Sequence, residues 1–288
     1  MTPVLGVHGI WNLSYFDKAD RDLSRATAAI SADWLQWTAA GIGRHLPGAL
    51  VPEHLPVAYY ADLLAQGVAM AADPLMLDPF AQVLFVEWAE EILAAESTDA
   101  PFDPVAKGRG TKLLRQAAGV LTERFGAGCV PVVAAMVGEL SVYFDPDNAP
   151  VRRAVRDRLA EALERHRPRV LVAHSLGSVV AYETLHAHPG IDIELLLTLG
   201  SPLGMRKVVF DRLEPEPQWG QGARPPGVRD WANVSDRGDF VAVPRGALPT
   251  RFDGVHRDIE TSIHVADPHR ARFYLGTSDV AGLLAPFI

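Results

Sequence analysis

The most constraining feature of this sequence is an unbroken apolar run, Val-Leu-Val-Ala at residues 170–173, which lies between two segments with helical spacing. An apolar run without polar alternation is typical of a strand that is covered on both faces, as in a parallel sheet. A charged helix is predicted before it, over residues 151–166, and Pro168 prevents the helix from continuing. Strand and helix therefore alternate here, which predicts an α/β fold.

The same alternation recurs on both sides of this strand. Further strands are predicted at residues 4–7, 55–60, 193–199 and 228–234, with a weaker one at 261–265, and helices over about 25–45 and from Ser278. We therefore expect a mostly parallel sheet flanked by helices. Proline and glycine accumulate over residues 203–227, which predicts a long surface loop.

Residues 61–145 have a different pattern from the rest of the chain. They form long segments rich in alanine and leucine, and the run Phe80 to Trp88 places apolar side chains three and four positions apart. This spacing predicts a helical insertion, or cap, over the sheet of a domain that spans residues 1–288. The most apolar stretches are interrupted well before the roughly 20 residues that a membrane span needs, so we expect no integral membrane association.

The charge of the chain excludes one class of partner. The formal net charge is −8, whereas affinity for nucleic acid requires clustered lysine and arginine. Arginines gather at residues 152–169, but acids interleave with them at helical spacing, which predicts a solvated helix face. The only cysteine, Cys129, excludes an intramolecular disulfide and is expected to be a small buried residue. With no leader before the first strand, we expect a cytoplasmic protein, unless a leader was removed.

The strongest chemical signal is Ala173-His174-Ser175-Leu176-Gly177-Ser178, between the predicted strand and the next helix. This is the setting of a nucleophile elbow, a sharp turn that exposes a serine hydroxyl above the end of the sheet. The positions two before and two after the serine must be small, and Ala173 and Gly177 are. We therefore predict Ser175 as a nucleophile and the Leu176 N–H as an oxyanion donor.

A second donor is expected at the end of the first strand, in His8-Gly9-Ile10-Trp11. A glycine turn at this place can expose a backbone N–H beside the serine. Ile10 is the first choice for that donor and Trp11 the second, although a plain strand-to-loop turn with a structural His8 explains the same residues equally well.

A serine nucleophile needs a histidine base and an orienting carboxylate, in the chain order Ser, acid, His. Asp239 is favoured as the acid, and Asp236 is the alternative that would also fit a turn. His269 is favoured as the base because it lies in a loop before the last helices. The alternative base is His264, followed by His256, and His174 is expected to pack or hydrogen-bond locally.

The sequence carries no pattern for a metal or a nucleotide. The histidines lack metal-ligand spacing, and no glycine-rich phosphate loop follows a strand, so no cofactor is expected.

At Val7-His8-Gly9-Ile10, Ala173 to Gly177 and Asp267-Pro268-His269, the chain resembles α/β-hydrolase-fold lipases and esterases. The likeness is greatest to bacterial proteins related to the inositol-deacylase and triacylglycerol lipase groups, some of them labelled serine peptidase, and the run at residues 57–64 shares it. It implies an α/β-hydrolase fold, although Ala173 replaces a more usual glycine. The roles it implies are a triad and two oxyanion donors at Ser175, Asp239, His269, Ile10 and Leu176.

In that family the cap usually shapes the acyl pocket, which suggests a channel lined by Leu75, Met76, Leu77, Phe80 and Phe85, although simple packing explains them better. The hypothesis is hydrolysis of a small-molecule ester, amide or thioester through an acyl-enzyme. The alternatives are an acyltransferase or cyclase that uses the same serine, and a catalytically silent binding protein. The sequence leaves the oligomeric state open.

Overall fold

The computed structural model of the protein describes residues 3–65, 73–95, 110–263 and 269–288. Within these ranges, six strands form one parallel sheet with helices on both faces, so the expected α/β architecture is confirmed. The strands are β1 (Val4–Val7), β2 (Val57–Ala58), β3 (Val170–His174), β4 (Ile193–Leu199), β5 (Val228–Asp236) and β6 (Val255–Thr261). The helices are α1 (Leu13–Lys18), α2 (Leu23–His45), α3 (Ala61–Leu64), α4 (Pro79–Ala95), α5 (Gly110–Phe125), α6 (Cys129–Phe144), α7 (Ala149–His166), α8 (Leu176–Ala187), α9 (Ala247–Arg251), α10 (Ala271–Leu275) and α11 (Ser278–Leu284).

The order of the strands creates a crevice at the carboxyl ends of two neighbouring strands, β1 and β3. The order is β2-β1-β3-β4-β5-β6, and β1 pairs directly with β3 in a register that sets Val7 beside Ala173. After β1 the chain continues to α2 on one face, whereas after β3 it continues to α8 on the other. Where two neighbouring parallel strands lead to opposite faces, their carboxyl ends border an open crevice that commonly binds ligands. Residues 8–11 and Ser175 border this crevice.

Two hydrophobic clusters flank the sheet because successive side chains of a strand point to opposite faces. Leu171 and Ala173 of β3 pack with α4 to α8, whereas Val170 and Val172 pack with α2 and α11. Both faces of β3 are therefore buried. This explains why its sequence is apolar at every position.

The described part of residues 61–145 is mostly helical. Trp88 of α4 and Val137 of α6 belong to the same hydrophobic cluster as Leu171, so these helices pack on the α8 side of the sheet. That this segment acts as a cap over a substrate site stays a prediction. Among the described residues, no helix by itself combines the length and the apolar composition of a membrane span. The pair Cys129–Phe144 and Pro146–His166, bent by 62°, meets both criteria only when its two segments are taken together.

Two segments differ from their sequence-based predictions. The strand predicted at residues 261–265 was wrong in position, because β6 ends at Thr261 and residues 264–265 lie outside the described ranges. Polar side chains dominate this edge strand, so no apolar run marks it. The segment 203–227 is not simply a surface loop, because its apolar side chains enter the core at Met205, Val208, Val209, Phe210 and Leu213.

The arginine-rich helix α7 is only partly the solvated face that was predicted. Arg152 and Arg156 lean onto α8, where both contact the fully buried carboxylate of Glu183. Tyr143 of α6 donates its hydroxyl hydrogen to the same carboxylate at 2.7 Å. A buried carboxylate requires such partners. Spacing within α7 could not reveal them, because the acid lies on another helix.

Candidate active site

Ser175 occupies the sharp turn between β3 and α8. Its backbone has a φ of 54°, a conformation that residues with a Cβ atom rarely adopt and that is often found at functional sites. A Cβ atom on Gly177 would lie 2.5 Å from the carbonyl oxygens of Val7 and His8, so only glycine lets α8 approach β1 this closely. The structure thus places Ser175 in the strand-turn-helix setting that the sequence predicts.

The structure brings Ser175, His269 and Asp239 into one hydrogen-bonded series. Nε2 of His269 lies 2.9 Å from Oγ of Ser175, and Nδ1 lies 2.9 and 3.0 Å from the two carboxylate oxygens of Asp239. An ionised carboxylate can only accept, so Nδ1 carries the proton and the lone pair of Nε2 faces the serine hydroxyl. This is the arrangement in which the imidazole can remove the proton of the serine.

The surroundings of Asp239 keep its carboxylate ionised. Burial alone would raise the pKa of Asp239, but the electrostatic attraction and hydrogen bond of His269, together with the hydrogen bonds from Tyr274 and Val241, outweigh it and lower the pKa. The Tyr274 hydroxyl donates to Oδ2 at 2.7 Å, and the Val241 N–H donates to Oδ1 at 2.8 Å. The negative charge needed to stabilise a protonated His269 is therefore held in place.

Tyr274 is a further residue of the site, and no sequence pattern predicts it. It lies fully buried in α10, and its hydroxyl also accepts the N–H of Asp236 at 2.9 Å. Burial, together with the negative charge of Asp239, raises the pKa of Tyr274 well above its usual value, so the hydroxyl remains a donor. The only signal in the sequence was its place shortly after His269.

The alternative acid and bases have other positions. Asp236 ends β5 and does not follow it as predicted; its carboxylate accepts the N–H of Gly238 at 2.7 Å and that of Ile263, so it shapes the turn before Asp239. His256 lies near the start of β6, at the opposite end of the sheet from the triad, and its half-exposed ring contacts Asp230 at 3.5 Å. His264 lies outside the described residues.

Two further histidines, His8 and His174, lie beside the triad Ser175, His269 and Asp239 and hydrogen-bond to the backbone around it. Nε2 of His174 lies 2.6 Å from the backbone carbonyl of His269, so its partner is 95 residues away and not local as predicted. His8 accepts the N–H of Tyr60 through Nε2 at 3.0 Å and thereby joins β1 to β2. Burial lowers the pKa of His8 to about 4, and burial and the neighbouring His269 lower that of His174 to about 3. Both are therefore neutral at physiological pH.

The predicted oxyanion donors lie on both sides of the nucleophile. A Cβ atom on Gly9 would lie 2.5 Å from Cβ of Ser175, which shows how closely the chain after β1 approaches the elbow. Within the part of the chain that the structure describes, the N–H groups of Ile10 and Leu176 have no hydrogen-bond partner. The Trp11 N–H, the second choice, instead donates to the carboxylate of Glu139 at 2.9 Å. Ile10 is therefore the better placed of the two.

No protein-family model, curated protein or solved structure matches the chain. Its function is therefore inferred from the atoms of the site. Among the described residues, no group of three or more His, Cys, Asp or Glu side chains is arranged to hold a metal ion.

The five residues suggested for an acyl channel do not share one environment. Leu77 and Phe85 are buried in the core and Phe80 packs against it, whereas the side chain of Met76 is 75% exposed and that of Leu75 is 37% exposed. The structure therefore supports packing for Leu77, Phe80 and Phe85 and does not assemble the five into a channel.

Glu139 of α6 is a buried acid that holds the loop carrying Ile10. It accepts the Trp11 N–H where the backbone of Trp11 has a φ of 64°, a conformation that needs support in a residue with a Cβ atom. Burial raises the pKa of Glu139 from 4.5 to about 7, although the Trp11 N–H opposes this shift. No pattern in the sequence indicates this contact, because Trp11 and Glu139 are 128 positions apart.

The raised pKa of Glu139 predicts a pH-dependent effect on stability. Native protein holds a proton that unfolded protein releases, so this carboxyl costs stability as the pH rises from 4.5 through 7. Glu139→Gln keeps an oxygen acceptor for Trp11 but cannot ionise. We expect the free energy of unfolding of the variant, relative to native, to improve by up to about 3 kcal/mol between pH 5 and pH 8 in urea titrations. A pH-independent difference would contradict the prediction.

Proposed function

We propose that this protein is a serine hydrolase with an α/β-hydrolase fold, which cleaves carboxylic esters through an acyl-enzyme on Ser175. The observation that carries the proposal is the series from Ser175 Oγ to His269 Nε2, at 2.9 Å, and from His269 Nδ1 to Asp239, at 2.9 Å. The residues occur in the chain order Ser, Asp, His, and the serine sits on an elbow between strand and helix, which supports the fold assignment.

In the proposed reaction, Oγ of Ser175 attacks the ester carbonyl carbon while Nε2 of His269 takes the hydroxyl proton. The carbonyl oxygen becomes an oxyanion that accepts hydrogen bonds from the N–H groups of Ile10 and Leu176. When the carbon–oxygen bond to the alcohol breaks, His269 gives its proton to the departing oxygen. Water then attacks the acyl-enzyme, His269 takes the proton of the water, and the acid leaves as Ser175 regains its hydrogen.

The roles of the neighbouring groups follow from charge. Asp239 stays ionised throughout and stabilises the protonated His269. Tyr274 and Val241 orient that carboxylate through the bonds described above. Amides and thioesters pass through the same type of acyl-enzyme and also need at most one proton from His269. Ester hydrolysis is proposed because an ester carbonyl is less stabilised by resonance than an amide and its alkoxide leaves more readily than an amine.

A fluorophosphonate probe tests the proposal, because it reacts covalently with an activated serine but not with an ordinary one. We expect the native protein to be labelled at Ser175 and the Ser175→Ala variant to remain unlabelled. Mass spectrometry of the labelled peptide identifies the modified residue. Absence of labelling in folded native protein would contradict the proposal.

The control variant has to replace a serine that lies outside the site. Ser178 is unsuitable, because its buried hydroxyl donates to the Ser175 carbonyl at 2.6 Å and lies 2.7 Å from Oγ of Ser201. Ser24 lies on the exposed side of α2, so the substitution Ser24→Ala removes the same hydroxyl oxygen without affecting the elbow. Ser24→Ala is expected to label like native protein.

A further inference from the structure

A cavity of about 570 Å³ adjoins the triad on the side of the sheet that α2 covers. Gly9, Ile10 and His269 are among its lining residues, so it reaches both the proposed oxyanion donor and the proposed base. This volume lies in the range of small-molecule sites, which is roughly 300 to 1,000 Å³. The cavity therefore has the size and the position to hold one part of a substrate whose carbonyl lies at Ser175.

A second cavity, of about 620 Å³, adjoins the first, because Trp37 and Arg272 line both. It runs between the end of α2, the end of β6 and the helices α10 and α11. We call the two cavities together the α2 groove. Its length beyond the triad gives room for a substrate arm that extends away from the reacting carbonyl.

The charges along the α2 groove have the opposite sign to those of the whole chain. The chain has a formal net charge of −8. Among the described residues that line the groove, one carboxylate, Asp33, is accompanied by four cations: Lys18, Arg44, Arg270 and Arg272. Asp33 also accepts the hydroxyl hydrogen of Tyr15 at 2.5 Å. A local excess of positive charge in a concave, protein-walled space attracts anions.

Three of these cations have no acidic partner within the part of the chain that the structure describes. Lys18, at the end of α1, and Arg44, near the end of α2, make no ion pair there, and the Arg272 guanidinium lies over the ring of Phe273 at 4.3 Å. Most other arginines of the α8 side, such as Arg152 and Arg156, are paired with acids. Unpaired cations that line a cavity beside a reactive group are therefore available to a ligand.

Aromatic groups line the same cavity as Lys18 and Arg272. Trp11, Tyr15 and Trp37 are partly buried and line the first cavity. Their rings offer apolar contact to the stem of a substrate arm, while the cations lie where a charged end can remain partly solvated. The groove thus combines an apolar passage with a positive rim.

We propose that the α2 groove binds a negatively charged group on one arm of the ester, so that the substrates of this protein are anionic esters. The inference rests on the proposed function and specifies its substrate class. The charged group is held by Lys18 and Arg272, with Arg44 adding to the positive field, and the carbonyl lies between Ser175 and Ile10. The anion can belong to the acyl arm or to the alcohol arm.

Matched pairs of esters test this inference. For the acyl arm, the mono-4-nitrophenyl ester of glutaric acid is compared with 4-nitrophenyl pentanoate, which ends in a methyl group. For the alcohol arm, carboxyphenyl butyrate is compared with carbamoylphenyl butyrate. We expect kcat/KM for the anionic ester of at least one pair to exceed that of its neutral partner by about tenfold at low ionic strength, and the ratio to fall in about 0.5 M salt.

The double variant Lys18→Gln/Arg272→Gln should lower this ratio to near one. The matched control is Lys112→Gln/Arg153→Gln, which removes two positive charges from the exposed surfaces of α5 and α7 and should leave the ratio as in native protein. Asp33→Asn should raise the ratio.

Each outcome distinguishes this inference from the proposed function. Active native protein with a ratio near one for both pairs would overturn the inference and leave the hydrolase proposal standing. So would a ratio that survives in Lys18→Gln/Arg272→Gln, or one that the control variant lowers equally. Absence of both ester hydrolysis and fluorophosphonate labelling would instead overturn the proposed function, and the inference with it.

Discussion

Replacing His269 by alanine is expected to lower kcat for ester hydrolysis by about 10⁴-fold to 10⁶-fold. Among the residues that the structure describes, the variant loses the only group within hydrogen-bond distance of Ser175 Oγ that can take its proton, because the His174 ring donates to the His269 carbonyl instead. The measurement is kcat with a 4-nitrophenyl ester, on protein whose circular dichroism matches that of the native form.

Two other histidines provide the comparison for His269→Ala. His256→Ala removes an exposed ring far from the triad and should keep native kcat. The His264→Ala variant should also keep most of the native activity, because it is His269 whose Nε2 lies beside Ser175 Oγ. A large loss of kcat in His264→Ala, with activity retained in His269→Ala, would show that the base had been wrongly assigned.

Replacing Asp239 by asparagine is expected to lower kcat by about 10⁴-fold while the protein remains folded. An amide has nearly the same shape as the carboxylate but carries no charge to stabilise the imidazolium. Its NH₂ group can also stabilise the tautomer in which Nδ1 is the acceptor, which would leave Nε2 protonated and unable to take the serine proton. The pH dependence of kcat, measured with thermal unfolding on the same samples, reports both effects.

Asp236→Asn is the matched control for the acid. Both Asp236 oxygens accept backbone N–H groups, from Gly238 and Ile263, so an amide must turn a donor toward one of them. We expect the free energy of unfolding to fall by roughly 1 to 3 kcal/mol, with kcat of the folded fraction close to native. A loss of kcat equal to that of Asp239→Asn would contradict the assignment of the acid.

The sequence predicted those features that depend on neighbouring residues. The buried strand at 170–173 is apolar throughout because both of its faces are covered, and this can be read directly from the chain. The elbow at Ser175 needs small neighbours for the close contact that Gly177 makes with β1, so its signature is also local. Asp239 and His269 followed from the chain order that the elbow implies, together with the turn chemistry around them.

Features that depend on distant partners were not visible in the sequence. Tyr274 supports Asp239 across 35 positions, and Glu139 holds Trp11 across 128 positions, and neither pairing leaves a periodic pattern. The inward turn of Arg152 toward Glu183 was missed for the same reason. Strand β6 was misplaced because an edge strand can alternate charged and apolar residues without an unbroken hydrophobic run.

The spacing of the triad along the chain has a consequence during protein synthesis. His269 is 94 positions after Ser175 and 30 after Asp239, so a ribosome exposes the serine long before it makes the imidazole. At about 5 to 20 residues per second, this delay lasts several seconds. Throughout that interval the growing polypeptide carries the Ser175 hydroxyl without the imidazole that is proposed to activate it. Under the proposed function, the appearance of ester turnover would therefore report completion of the last part of the molecule.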